Sequence, residues 1–347
     1  MKKMWVIGIC LLAALMGTAA FAQDATPEAT AAAVEPWVCP EDILSLENKT
    51  LNILNWATYI AENTIPDFEA ACGATVTTDF YGSNDELLER LRSGNPGFDL
   101  IMPTDYAVAQ MIAEELLLPL TKENIPNIVN LNPALLNRDY DPDNIYSLPY
   151  QWGTIGIGYN VKAVQETLGA DVKITSWNQL FDYPKPDVGW LDDPRAALGV
   201  ALIMLGFDPN TTSPEEIQQA SDYLIEKGQN VVRIAADDGQ ELLARGEVDL
   251  VMEYSGDLFQ VVLTCQADPN CGTEYAYIIP DEGANLWVDN MAIPFGAQNQ
   301  RLAEAFIDYV LHPQVGADIS NYIAHASPNQ ASIDLGLIDA EMINSPI

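Results

Sequence analysis

The order of predicted strands and helices restricts the possible folds most strongly. Between residues 51 and 115, short apolar or β-branched runs typical of strands alternate with segments of helical periodicity. Strand, helix, strand, helix, strand in this order predicts a parallel sheet with helical crossover connections. The predicted strands are 51–54, 75–80 and 99–102, and the predicted helices are 63–71, 85–93 and 106–115.

The middle of the chain repeats this alternation, which predicts a second α/β unit. A chain of 347 residues is long enough for about two domains. We therefore expect two α/β lobes, with a ligand in the crevice at the carboxyl ends of the strands. Further strands are predicted at 155–159, 248–252, 275–279 and 291–294, and further helices at 177–181, 195–205, 214–227 and 301–311.

The first 22 residues have the three parts of a secretory signal peptide. Two lysines precede an apolar run over residues 5–16, and Ala20-Phe21-Ala22 is a small-residue cleavage site. We expect cleavage there and a mature chain in the periplasm or elsewhere outside the cytoplasm. Cys10 lies inside the apolar run instead of after it, which argues against a lipid anchor. The Ala/Thr/Pro/Glu-rich stretch that follows predicts a flexible tether over residues 23–47.

The charge balance and the scarcity of histidine exclude several classes of function. The chain has 15 Lys and Arg against 50 Asp and Glu, a formal net charge of −35, so we expect no nucleic-acid binding. The two histidines, His312 and His325, are too few for most metal sites and catalytic triads. We accordingly expect no metal and no cofactor. The acidity favours a cationic ligand, and solubility alone is the competing explanation.

Four cysteines follow the predicted signal peptide, and an even number in an exported chain predicts disulfides. Cys265 and Cys271 flank a short turn that contains proline, which favours a local bridge. Cys39 and Cys72 form the remaining pair. A zinc site built from the four explains them less well, because neither pair has the C-x2-C spacing.

Aromatic and acidic residues cluster near the ends of four predicted strands. Aromatic faces combined with carboxylates suit an organic polycation, because each ammonium needs a charge-assisted hydrogen bond and the methylenes need apolar surface. The competing explanation is that each aromatic side chain fills the core. The four segments are Asn55-Trp56-Ala57-Thr58-Tyr59, Pro103-Thr104-Asp105-Tyr106, Glu253-Tyr254-Ser255-Gly256-Asp257 and Leu286-Trp287-Val288-Asp289.

Taken in order, these and other segments resemble the bacterial periplasmic spermidine/putrescine-binding proteins, the substrate-binding subunits of polyamine ABC transporters. The resemblance runs from about residue 51 to residue 333. It implies a type II-like periplasmic binding protein, with one lobe from residues 48–153 and 288–333 and the other from 154–287 and 334–347. The additional matching segments are Phe98-Asp99-Leu100, Ser147-Leu148-Pro149-Tyr150-Gln151-Trp152-Gly153, Leu191-Asp192-Asp193-Pro194-Arg195, Asn290-Met291-Ala292-Ile293-Pro294 and Ser327-Pro328-Asn329.

The resemblance also implies roles for individual side chains. Ala196 stands where the family has a glutamate, so one anchor for an amine is missing. Glu253 is a candidate replacement, although strand alternation points its side chain away from that of Tyr254. His325 is expected either to line the cleft or to lie on the surface. The implied aromatic box is Trp56, Tyr59, Tyr254 and Trp287, the implied acids are Asp193, Asp257 and Asp289, and the implied hydroxyl groups are those of Thr104 and Tyr106.

The function implied is capture of a linear polyamine, putrescine or spermidine, by a monomer that delivers it to the membrane permease subunits of an ABC transporter. We expect no enzymatic activity, since the chain has no GxSxG, Walker A, HExxH or GxGxxG pattern. One alternative is a binding protein of the same fold for a sugar, an iron chelate or another amine. A second is an acidic glycosidase, which would use Asp192 with Asp193 or Glu253 with Asp257.

Overall fold

A computed structural model describes residues 34–94, 97–235 and 238–343 of the chain. The predicted signal peptide and residues 23–33 of the predicted tether lie outside the described residues. Within the described residues no helix is long and apolar enough to cross a bilayer. The same residues contain no group of three or more His, Cys, Asp and Glu side chains placed to hold a metal ion.

Ten strands in the described residues form one sheet, in which eight follow the order β2-β1-β3-β10-β5-β8-β6-β7, while β4 pairs with β10 and β9 pairs with β5. β1 is parallel to β2 and β3, and β6 is parallel to β7 and β8, as the alternation of strands and helices predicts. The central strands β5 and β10 run antiparallel to each other and to their other neighbours. The strands are β1 Thr50–Asn55, β2 Thr75–Phe80, β3 Leu100–Ile101, β4 Leu117–Leu118, β5 Ser147–Asn160, β6 Val188–Leu191, β7 Val231–Ala235, β8 Leu250–Tyr254, β9 Tyr275–Ile278 and β10 Leu286–Pro294.

Helices connect and cover these strands, and six of those in the described residues begin after a side chain that accepts a free N–H group of the first turn. Asn160, Ser176 and Ser213, for example, each accept a backbone N–H at the start of a helix. The helices are α1 Glu41–Leu44, α2 Thr64–Cys72, α3 Asn84–Arg92, α4 Asp105–Ala113, α5 Val161–Leu168, α6 Trp177–Phe181, α7 Pro194–Leu205, α8 Pro214–Lys227, α9 Gly239–Ala244, α10 Ser255–Ala267, α11 Gln300–Val310, α12 Pro313–Ile323, α13 Gln330–Asp334 and α14 Ala340–Ile343.

The long strands β5 and β10 pass from one apolar core to another. Leu148 and Tyr150 at the start of β5 pack with β1 and α11, whereas Ile155 and Ile157 pack with β6 and α7. The segment after α12 lies beside β5, where the Trp152 N–H donates to the Ala326 carbonyl at 3.2 Å. Two cores joined by crossing segments are what the two-lobe prediction requires, while the residue boundaries of the lobes remain a prediction.

The N-terminal segment before β1 packs on the first core. Trp37 stacks near Phe68 and donates its indole N–H to Asp308, and Ile43 is fully buried. The Cys39–Cys72 disulfide joins this segment to the end of α2, and the second disulfide joins Cys265 and Cys271, so both predicted pairings are confirmed. The predicted tether therefore gives way to folded structure by Trp37, because an apolar ring and a covalent bond hold the segment to the core.

Candidate ligand-binding site

The carboxylate of Asp289 is the centre of the site. It lies on β10, is only 6% exposed, and accepts hydrogen bonds from Thr104 Oγ1 at 2.6 Å and from the Tyr59 hydroxyl at 2.9 Å. Burial, followed by the Asp289 charge, raises the pKa of Tyr59 well above its usual value, so this hydroxyl stays a donor. Two hydroxyl donors favour the ionised form of a buried carboxylic acid and fix the orientation of the carboxylate.

Backbone contacts set the position of Asp289. The turn between β3 and α4 pairs with β10, where Pro103 accepts the Asn290 N–H at 2.8 Å and Asp105 Oδ2 accepts the Val288 N–H at 3.1 Å. The register between β10 and β5 shifts at Asp289 and Asn290. A bulge of this kind redirects a side chain, and here it lies at the residue that carries the charge.

A row of aromatic rings runs from the first core to the second. The ring centroids of Tyr59 and His325 are 5.1 Å apart, those of His325 and Trp287 are 5.7 Å apart, and those of Trp287 and Tyr254 are 5.7 Å apart. All three pairs meet edge to face, which is a favoured geometry. The row forms one continuous aromatic wall that includes three of the four predicted box residues.

His325 is buried within this wall, which excludes the surface interpretation. It is 5% exposed, and its Nδ1 lies 2.8 Å from the Ile323 carbonyl, so Nδ1 carries the hydrogen of the neutral ring. Burial lowers the pKa of His325 to about 4, so the ring is neutral at pH 7. A Cβ atom at Gly256 would overlap this ring, so the glycine allows α10 to approach it closely.

Both oxygens of Asp193 accept hydrogen bonds from groups of the protein itself. Oδ1 accepts the N–H groups of Arg195 and Ala196 and so caps α7, while Oδ2 accepts the Tyr254 hydroxyl at 2.9 Å. Burial first, and the Asp193 charge second, raise the pKa of Tyr254. Asp193 therefore orients Tyr254 at the second end of the aromatic row.

Asp257 lies in the first turn of α10, directly after Gly256, which approaches the His325 ring. Burial raises the pKa of Asp257 to about 7, because it disfavours the charged form of the carboxyl group. Neither Asp257 nor Asp193 takes part in an ion pair in the described part of the chain. A bound cation would favour the charged form of Asp257.

Trp56 and Tyr106 lie at the edge of this group. Trp56 packs against Tyr81 with centroids 4.4 Å apart, and its indole N–H donates to the Met102 carbonyl at 2.9 Å. The Tyr106 hydroxyl accepts a hydrogen bond from Asn84. Both side chains are half-buried, which leaves part of each available to a ligand.

The structure does not bring Glu253 to the acids above. Its side chain lies on the other face of β8 from that of Tyr254, where a Cβ atom at Gly239 would overlap the carboxylate. Its Oε1 accepts the Tyr254 N–H. This position gives no support to Glu253 as the replacement for a missing anchor, because strand alternation directs its side chain away from that of Tyr254. Ala196 is 1% exposed and packs in the same core as Trp287.

Sequence reasoning missed several polar residues that hold the site. Asn84 bonds to Thr104 and Tyr106, and Tyr140 donates to Asn290 at 3.1 Å. Asp105 was recognised as part of its segment but not as the acceptor of the Val288 N–H. A single buried polar residue has no periodic pattern in the sequence, so only the folded arrangement reveals it.

Comparison with known proteins identifies the family. The sequence matches the family described as bacterial extracellular solute-binding protein over residues 63–346. The chain belongs to this family. It is 34% identical over 315 residues to the putrescine-binding periplasmic protein PotF of Escherichia coli K12, covering 87% of this chain and 84% of that protein. It is 33% identical over 289 residues to the Escherichia coli spermidine/putrescine-binding periplasmic protein, covering 82% and 79%.

Solved structures agree with this assignment. The chain superposes on the putative spermidine/putrescine ABC transporter protein of Listeria monocytogenes with a TM-score of 0.77 and 33% identity, over 85% of this chain and 87% of that one. For the spermidine/putrescine substrate-binding protein PotD of Streptococcus pneumoniae the TM-score is 0.72 at 30% identity, over 86% and 88%. The predicted two-lobe α/β fold and family resemblance are confirmed. Its family is one of bacterial extracellular solute-binding proteins, which indicates a location outside the cytoplasm.

Proposed function

We propose that this protein captures a linear polyamine and delivers it to the permease subunits of an ABC transporter. The observation that carries the proposal is the buried Asp289 carboxylate, which Tyr59 and Thr104 orient beside the aromatic row. An ammonium group can donate a charge-assisted hydrogen bond to this carboxylate, and the rings can cover the methylenes. Relatives named for putrescine and spermidine binding support the same ligand class.

The expected affinity is micromolar or tighter. Burying each methylene contributes about 0.8 kcal/mol, and each charge-assisted hydrogen bond contributes about 1.5 to 3 kcal/mol. Pre-orientation of Asp289 by two hydroxyl groups reduces the entropic cost of association.

The glycosidase alternative finds no support in the geometry. A glycosidase needs two carboxylates that face one substrate. Asp193 is occupied as a helix cap and as the acceptor for Tyr254, and Glu253 lies on the other face of its strand from Tyr254. Neither pair offered by the sequence therefore has two carboxylates free for a sugar.

Isothermal titration calorimetry of the mature protein tests the proposal. Putrescine and spermidine should bind with micromolar or tighter dissociation constants, while maltose and ferric citrate should give no heat of binding. Absence of polyamine binding below millimolar concentration, or tight binding of one of the other two solutes, would overturn it. Mass spectrometry of the exported protein should show a mature chain that begins at Gln23, and light scattering should show a monomer.

A further inference from the structure

Asn84, the first residue of α3, is a buried amide whose side chain bonds to two residues of the proposed site. It is 4% exposed. Its Nδ2 donates to Thr104 Oγ1 at 2.9 Å and to the Tyr106 hydroxyl at 3.1 Å, and its Oδ1 accepts the Thr104 N–H at 3.2 Å. Asn84 therefore fixes both the backbone and the hydroxyl group of Thr104.

The direction of these bonds decides where the hydroxyl hydrogens go. An amide nitrogen can only donate, so both hydroxyl oxygens must act as acceptors toward Asn84. Each hydroxyl then keeps its own hydrogen for another partner. For Thr104 that partner is Asp289 Oδ1 at 2.6 Å. Tyr106 stays protonated, because burial first and the Asp193 charge second raise its pKa, so its hydrogen remains available for donation.

We propose that Asn84 is a positioning residue of the polyamine site, which acts by directing the Thr104 hydroxyl hydrogen onto Asp289. The inference rests on the proposed function. In the described part of the chain the Asn84 side chain bonds to Thr104 and Tyr106, so its effect on a ligand passes through these two residues. A second layer of hydrogen bonds of this kind keeps the charged group oriented before the ligand arrives.

A double-mutant cycle tests the inference with putrescine and spermidine as probes. The variants are Asn84→Ala, Thr104→Val and the double variant, each measured by calorimetry and by thermal unfolding. Each single change should weaken binding about tenfold or more, the effect of losing one hydrogen bond to a charged group. The double variant should bind within about threefold of the weaker single variant instead of showing the product of both losses, because both changes remove one pathway.

Asn144→Ala is the matched control, because Asn144 is also 4% exposed, accepts one backbone N–H and donates to one carbonyl outside the site. It should lower the melting temperature and leave polyamine affinity within about twofold.

This inference alone would be overturned if the wild-type protein binds a polyamine and the Asn84→Ala variant binds it with equal affinity. Multiplicative losses in the double variant would also overturn it, since Asn84 would then act independently of Thr104. Absence of polyamine binding by the wild-type protein would instead overturn the proposed function.

Discussion

Changing Asp289 to Asn removes one charge and almost no volume, so it distinguishes an effect on ligand affinity from an effect on the stability of the fold. In the free protein the carboxylate accepts the Thr104 and Tyr59 hydroxyl groups at 2.6 and 2.9 Å. Both hydroxyl groups can rotate to accept from an amide, so the free protein should lose little stability. A bound ammonium loses its buried counter-charge, which costs about 2 to 5 kcal/mol, or roughly 30-fold to several thousand-fold in affinity.

The assay is calorimetry with putrescine and spermidine, together with thermal unfolding of the ligand-free protein. Asp99→Asn is the matched control, because Asp99 is a buried acid that accepts the N–H groups of Asn52, Gln298 and Asn299. The control should lower the melting temperature and leave the affinity nearly unchanged. Unaltered affinity of Asp289→Asn, or equal losses of affinity in both variants, would refute the reasoning.

Further predictions concern Asp257, the disulfide between Cys39 and Cys72, and Gly256. Because burial raises the pKa of Asp257 to about 7, polyamine affinity should rise with pH through neutrality, and Asp257→Asn should remove that step. Between about pH 3.8, the usual pKa of an aspartate, and about pH 7, the folded protein keeps the Asp257 proton whereas the unfolded chain releases it. The free energy of unfolding therefore falls as pH rises through this range. Asp257→Asn should accordingly raise the melting temperature at pH 8 relative to wild type. Replacing both Cys39 and Cys72 by Ser should lower the free energy of unfolding by about 3 to 4 kcal/mol in denaturant titration, since their bridge spans 33 positions. Gly256→Ala should weaken polyamine binding at least about tenfold, because its Cβ atom would displace the His325 ring from the aromatic row.

Each of these predictions has its own contrary result. An affinity of the wild-type protein that is flat from pH 6 to pH 8 would show that Asp257 does not contact the ligand. Equal stability of the protein with and without the Cys39–Cys72 bridge would show that the N-terminal segment is not held to the core in solution. For Gly256→Ala the control is Gly228→Ala, whose Cβ atom would lie 3.6 Å from Trp190 in ordinary contact; equal effects on affinity would remove the role of His325.

The alternation of strands and helices in the sequence predicted the parallel strands at the two edges of the sheet, because local periodicity decides those elements. It predicted only residues 291–294 of β10, which runs over Leu286–Pro294. Trp287 and Asp289 therefore lie within a strand, not after one. The reason is physical: β10 is buried on both faces, so its polar residues are held by partners from distant segments and break the expected pattern.

The sequence predicts the role of a site residue where the side chain's own charge or ring indicates that role. It does not predict the role of a residue that depends on hydrogen-bond partners from distant segments. An acid such as Asp289 stands out by its charge beside an aromatic residue. The role of Asp193 depends on its position before Pro194 at the start of α7, which makes it a cap. Asn84 has no such local signal, since its importance comes from residues 20 and 22 positions away in the sequence.

The most direct test of the proposed site is a crystal structure of the mature protein with putrescine or spermidine. We expect an ammonium nitrogen within about 3.2 Å of an Asp289 oxygen, with Thr104 still donating to Asp289. The carbon chain should lie against the row of Tyr59, His325, Trp287 and Tyr254. A polyamine bound elsewhere, or bound here without contact to Asp289, would contradict it.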